Sequence, residues 1–547
     1  MNYEILDVDA LGRIGKITIG NKQMITPNLF PVVHPYKNVI AASELKKFGA
    51  QCIFTNAYII YKNEQLRAEI LNKKLHRYLN FDGLIATDCG AFQQYMYNDD
   101  KLEIDATTIE KFQEDINSDF PVILDIPVQL DDDYEIAKNK VLTTIQRAKD
   151  NIERRRNKEH AWVGPIHGGK FFDLLKISTE EMAKLDFDVY AIGGLVKAFL
   201  GYRFDLTLKI LLTVKKNLVS DKPIHMFGLG LPQFFSLAIA CGCDLMDSAA
   251  YILYAKEDRY FTLSTGTKKL EELIEFPCHC PICSEYSPKE IKSFDKKLRV
   301  ELLAKHNLYL SFSELRTIRQ AIREGNLWEL VEQRIRNHPS LVDAAQLVGG
   351  NNDFMEVYEK IYKNHGRFFT STESINRPLI FRYKKRLQTN YRVPQEAKYL
   401  IILPELDVNG ENSPSIKKWL DILNSNSTIE RKFIHVVFIT KFYGIIPLEL
   451  SETFPMGQSE SLAYTEDNAL LFNESLKKSE IYLRNYSKHY EKCGTLIPKN
   501  YINQFNEKID FPKNHIVYGL TSLVKSEFNF NFSVFDNLNE LLQYFKD

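Results

Sequence analysis

From the N-terminus to about residue 260 the chain alternates short apolar, β-rich runs with longer stretches whose apolar residues recur at helical spacing. The runs are NLFPVV (28–33), QCIFTNAYII (51–60), GLIATDCG (83–90), FPVILDIP (120–127), AWVGPIHGG (161–169), DVYAIGGLV (188–196), PIHMFGLGLP (223–232) and CDLMDSAAY (243–251). Between them lie amphipathic segments such as DYEIAKNKVLTTIQRAKDNIERRR, in which Ile136, Val141, Ile145 and Ala148 fall near helical spacing. This rhythm predicts an α/β fold with a parallel sheet, and eight such runs suit a (β/α)8 TIM barrel of about 250 residues. An open doubly wound sheet shares the rhythm.

Past residue 260 the pattern changes to a cysteine cluster, then helices to about residue 337, then the stretch NHPSLVDAAQLVGGNNDF. Runs such as YLIILPEL and FIHVVFIT bring β-rich segments back after residue 395. The expected division is therefore a barrel over 1–345 that includes a cysteine-bearing subdomain at about 265–340, a connector over 346–398, and a smaller C-terminal α/β or α+β domain over 399–547.

Composition changes this picture little. With 547 residues, 44% hydrophobic and 26% charged, the chain is expected to be globular, and its net charge of -1 leaves nucleic-acid binding to local patches. The sequence has neither a basic, apolar leader nor a run of about 18 apolar residues, so a soluble, cytoplasmic protein without membrane association is expected. Three of its eight cysteines fall within six residues, a bunching that suggests a metal and not disulfides.

In CHCPIC, Cys278, Cys280 and Cys283 form C-x-C-x2-C, and His306 follows 23 residues after Cys283. Three thiolates and an imidazole make a closed tetrahedral shell for one structural Zn2+, with no position left for a reactive water. His279 competes with His306 for the fourth position, though it is wedged between two ligands. At strand ends, the geometry of a barrel singles out Asp88 in TDCG, Asp125 in LDIP, His167-Gly168-Gly169, Gly193-Gly194 and Asp247 in DLMDS. Two carboxylates on different strand ends could carry out a double displacement at an anomeric carbon, one attacking and the other moving protons. Strand-end aspartates also cap helices, and nothing local says whether Asp244 or Asp247 points inward.

Read together, TDCGAFQ, DLMDSAAYILYAKEDRYFT and CHCPIC with its later histidine resemble the tRNA-guanine transglycosylase family over roughly residues 10–340. STESINRPLIFRYKKRL extends the likeness to the archaeal branch. The resemblance implies an irregular barrel with an attached zinc subdomain, and a pentosyltransferase that exchanges guanine, at position 15 of the tRNA D-arm, for 7-cyano-7-deazaguanine on the way to archaeosine. It implies that Asp247 attacks C1′ and that Asp88 serves as general base. The family has also been described with the Asp88 equivalent as nucleophile, so the division of labour stays open. Phe92 resembles the aromatic that stacks on the base, Asp125 would accept from its N–H edge, and Gly194, Leu195 and Val196 would line the pocket. Family members tend to form homodimers around the zinc-bearing region.

His167 stands where the family usually carries Gln, and Cys89 where it usually carries Ser. An imidazole in place of an amide makes hydrogen bonding at that point depend on tautomer and is expected to alter recognition of the six-membered ring. RNA contacts are expected from Arg316, Arg319 and Arg323, introduced by a Ser311-x-x-Glu314 capping box, and from Lys384, Lys385, Arg386 and Arg154, Arg155, Arg156. Two rivals are an archaeosine synthase-like paralogue and a catalytically silent tRNA-binding subunit. The first should have lost the acids and gained a C-terminal cysteine-lysine-histidine signature not found here, and retention of Asp88 and Asp247 argues against the second.

Overall fold

The computed structural model describes residues 1–91, 105–156, 159–218, 221–407, 410–461, 469–528 and 531–547. The chain divides into two compact units, Met1–Leu347 and Val348–Asp547. Both are α/β. No helix among the described residues is long and apolar enough to cross a membrane.

The first unit opens with an antiparallel sheet of β1 (Asn2–Asp9), β2 (Gly12–Ile19) and β3 (Lys22–Thr26). Apolar periodicity singles out no element there, because β1 is mostly exposed and shows no clean alternation. The turn Gly20-Asn21 explains the second hairpin: Ile19 pairs with Lys22, and Gly20 adopts φ +55°, as a two-residue loop requires.

Each of the eight apolar runs then contributes a strand: β4 (Asn28–Pro31), β5 (Cys52–Asn56), β6 (Leu84–Asp88), β7 (Phe120–Pro121), β8 (Val163–Ile166), β9 (Val189–Ile192), β10 (Ile224–Met226) and β11 (Leu245–Ser248). They form two parallel sheets, β4-β11-β10-β9-β8 and β5-β6-β7. Single parallel bridges, Val32 with Phe54 and Val122 with Val163, join the margins of one sheet to those of the other. Strands buried on both faces read as continuous apolar runs, and β4, β5, β8 and β9 are buried at every position. β7 is shorter than its run FPVILDIP, and just past it Val122 is held by a side chain as well as by the Thr87 carbonyl of β6. Gln113 accepts from the Val122 N–H at 3.1 Å and donates to the Val122 carbonyl at 2.9 Å.

The helix Tyr134–Arg154 buries Ala137, Val141, Thr144, Ile145 and Ala148. Ile136, which spacing places on that face, is instead 47% exposed and donates its N–H to the Asp133 cap. The Ser311-x-x-Glu314 pattern is not a capping box. Both residues lie inside the helix Lys296–Glu324, which Asp295 caps. The Ser311 hydroxyl donates to the Asn307 carbonyl and Glu314 takes two bonds from Arg334.

In the second unit five strands run in the order Gly444–Pro447, Ile434–Thr440, Tyr399–Pro404, Lys492–Leu496, Phe532–Phe535, all parallel except the first. The stretch 348–398 belongs to this unit and includes the strand Arg367–Phe369 and the helix Pro378–Thr389.

Candidate active site and metal centre

Parallel strands deliver their C-terminal residues to one end of a sheet, and a cavity of about 810 Å³ opens there in the first unit. Asp88, Asp125, His167, Gly194, Val196 and Asp247 all line it, together with Phe54, Phe227 and Tyr251. Residues 56 and 88 are register partners on β5 and β6, so Asn56 and Asp88 reach the cavity side by side. The Asn56 amide donates to Asp88 Oδ2 at 2.6 Å, while its own Oδ1 caps the next helix through the Ile59 N–H. The Gly90 N–H reaches Asp88 Oδ1 at 3.3 Å. That turn needs glycine, since φ is +108° and a Cβ would lie 2.6 Å from the Tyr58 side chain.

Burial, helped by the nearby carboxylates of Asp125 and Asp247, pushes Asp88 up to about 7 against the opposing pull of the Gly90 N–H. Asp88 retains partial exposure to the cavity, which gives a proton a route in and out. Asp125 is 5% exposed, and His167 Nε2 donates to its Oδ2 at 2.6 Å. The Cys89 thiol donates to Oδ1 at 3.5 Å. The imidazole fits only because residue 193 is glycine: a Cβ there would lie 2.3 Å from His167 Cε1.

Asp244 and Asp247, three residues apart, face opposite ends of the strands. Asp244, fully buried just before β11, takes Arg13 Nε at 3.0 Å, the Tyr3 hydroxyl at 3.1 Å and the Ile224 N–H at 2.8 Å. It is a structural ion pair. Asp247 faces the cavity, where its Oδ1 accepts from His225 Nε2 at 2.9 Å and the Gly228 N–H at 3.2 Å.

Cys278, Cys280, Cys283 and His306 place one ligand atom each within 4.8 Å of one another. Thiolates around a tetrahedral zinc stand roughly 3.8 Å apart, so the set needs little contraction to close on an ion of that kind. His306 Nδ1 lies 3.4 Å from Cys280 Sγ and 3.3 Å from Cys283 Sγ, while Nε2 donates to the Phe261 carbonyl at 3.0 Å. That second bond leaves Nδ1 as the free lone pair, the tautomer a metal ligand requires. Tyr260 stacks on the imidazole at 3.7 Å between ring centres and reaches Cys283 Sγ at 3.3 Å. His279 is exposed and stands outside the cluster.

The family described as queuine tRNA-ribosyltransferase matches residues 8–340. The chain belongs to this family. Among curated relatives, the protein of Methanocaldococcus jannaschii is 41% identical over 466 residues, spanning 84% of this chain and 68% of its own length. That of Methanococcus maripaludis strain C5 is 37% identical over 521 residues, 93% and 76% of the two lengths. That of Methanobrevibacter smithii is 35% identical over 506 residues, 92% and 74%. All three are named tRNA-guanine(15) transglycosylase.

In this member of the queuine tRNA-ribosyltransferase family, one cavity thus gathers Asp88, Asp125, His167, Gly194, Val196 and Asp247. Leu195 is 1% exposed and is not among the lining residues. Phe92 lies outside the described residues. Sequence reasoning missed Asn56 and His225. Asn56 ends strand β5 but sits in the middle of the run QCIFTNAYII, and His225 likewise lies inside its run, so neither was marked as a strand end. Arg154 and Arg156 are held by Glu110 and by Glu114 with Asp115, and Arg155 stacks over Phe187, so this cluster serves the fold. Arg316 and Arg323 are exposed, and their charge, with burial as the larger cause, lowers Arg319 to about 10.

An unfolded aspartate titrates near 3.9, so between about 4 and 7 the folded chain holds the Asp88 proton that the unfolded chain has lost, and stability falls as pH rises through that window. Asp88→Asn removes the ionisation. Its melting temperature is expected to rise relative to wild type as pH goes from 5 to 8; a difference independent of pH would contradict the elevated Asp88 titration.

Proposed function

We propose that this chain is a tRNA-guanine transglycosylase that exchanges guanine 15 of tRNA for 7-cyano-7-deazaguanine through a covalent enzyme–tRNA intermediate, a step of archaeosine formation. The observation that carries the reading is the convergence of Asp88 and Asp247, from β6 and β11, on one cavity with apolar walls. The name shared by the relatives supplies the guanine and its position.

In this reading Asp247 attacks C1′, because a carboxylate already held by two N–H donors needs no base to activate it. Asp88, poised at about 7, gives a proton to the departing guanine and takes one from the incoming base. Asp125 and His167 read the polar edge of the base, with Gly194 and Val196 as the wall beside it, Leu195 as its backing, and Phe92 as the stacking partner. A flat slot with a few fixed polar groups suits a purine. The target nucleotide must leave its stack to enter, and the exposed Arg316 and Arg323 offer charge to RNA phosphates, while Arg319 between them donates to the Pro27 carbonyl at 2.7 Å.

The eight parallel strands are read as an irregular closed barrel, supported by the two bridges that join the sheet margins. The three thiols and His306 are read as the ligands of one structural Zn2+, which would tie the cysteine segment 278–283 to the long helix carrying His306, itself packed on the hairpin of β12 (Arg259–Thr262) and β13 (Gly266–Lys269) through Tyr260 and Phe261. The chain is taken to act as a homodimer in the cytoplasm. Ile274, 90% exposed just before the ligand cluster, is an apolar side chain that such a partner would cover.

The test is incorporation of labelled guanine into tRNA by purified protein, with competing deazaguanines. Wild type should exchange, 7-cyano-7-deazaguanine should compete best, and Asp247→Asn should lower the rate at least about 1,000-fold. Exchange undiminished in Asp247→Asn would reject the assignment. Metal analysis should return one zinc per chain, with Cys280→Ala losing it and melting at lower temperature. Zinc retained at full stoichiometry in that variant would reject the ligand set.

A further inference from the structure

Asp247 is held asymmetrically. Both donors, His225 Nε2 at 2.9 Å and the Gly228 N–H at 3.2 Å, bind Oδ1. Among the described residues, Oδ2 has no hydrogen-bond donor. Sheet register makes the arrangement: His225 pairs with Leu245 across β10 and β11, and Asp247 lies two residues on, so both side chains emerge on one face. Gly228 turns its N–H toward Asp247 at φ +79°, where a Cβ would lie 2.6 Å from Val196 Cγ2. The imidazole is 2% exposed and fixed on its edges by Phe30, Phe54 and Phe227 at 5.2, 6.1 and 4.8 Å between ring centres. A carboxylate can only accept, so Nε2 carries the proton in this pair.

We propose that His225 is a positioning residue which, with the Gly228 N–H, holds Asp247 Oδ1, leaves Oδ2 as the attacking atom, and favours release of Asp247 from the covalent intermediate. This rests on the exchange reading above. An Oδ2 electron pair forms the bond to C1′, the C1′–N9 pair departs with guanine, and N9 takes the Asp88 proton. In the return step N9 of the incoming base gives its proton to Asp88, its pair closes the new C1′–N9 bond, and the Oδ2–C1′ pair returns to Asp247. Oδ1 is an anionic carboxylate oxygen before and after, but a neutral acyl oxygen in the intermediate. Hydrogen bonds to an ionised acceptor are about twice as strong as those to a neutral one. The two donors therefore stabilise free Asp247 more than the adduct, which keeps the intermediate from becoming a sink.

The experiment measures covalent protein–tRNA adduct on denaturing gels while guanine is titrated in, and reads the guanine concentration that discharges half of it. His225→Phe keeps an aromatic ring among the three phenylalanines and removes the donor; His225→Met serves if that variant does not fold. Either should accumulate adduct and raise the half-discharge concentration on the order of tenfold, the value of one charge-assisted hydrogen bond. His225→Gln, which keeps an N–H donor, should return it toward wild type. A merely structural role would slow formation and discharge alike and leave that concentration unchanged, which overturns the proposal, as does a failure of Gln to restore it. Absence of adduct in wild type would instead overturn the exchange reading itself.

Discussion

Crowding three carboxylates around one apolar cavity is the constraint on which the rest of the site depends. Each acid is held by donors from its own or the neighbouring strand: Asp88 by Asn56 and Gly90, Asp125 by His167, Asp247 by His225 and Gly228. The division is unequal. His225 and Gly228 both donate to one oxygen of Asp247 and leave the other open, whereas Asp88, open to the cavity and next to the other two, is kept near 7. In the proposed reading these different surroundings go with different chemistry, Asp247 bonding to carbon and Asp88 carrying the proton.

Much of this was legible in the chain because parallel strands are buried on both faces and end on polar residues. The eight runs became β4–β11, and Asp88, Asp125, His167 and Asp247 follow four of them into one cavity. What sequence could not supply is register. Asp244 and Asp247 are equally plausible on paper; only Arg13, 231 residues away, shows that the first belongs to the opposite end. His225 was hidden for the same reason, since an imidazole within an apolar run has no local sign of a partner on the next strand. The Ser311-x-x-Glu314 pattern misled because a capping box is a local signal without meaning inside an uninterrupted helix.

The metal centre shows the same division between local and distant information. Cysteine spacing names the thiols, but the selection of His306 over His279 depends on Phe261, whose carbonyl fixes the ring, and on Tyr260, which stacks against it. Both precede the cysteines on β12, so the hairpin and the long helix are coupled through the ligand set itself.

The central claim is that Asp247 and Asp88 work on one nucleoside from two strands, the first through carbon and the second through a proton. Peptide mapping of the protein–tRNA adduct by mass spectrometry, after nuclease digestion to a single ribose phosphate, tests it most directly. The account requires the ribose on the peptide containing Asp247; the ribose found on the peptide containing Asp88 would contradict it.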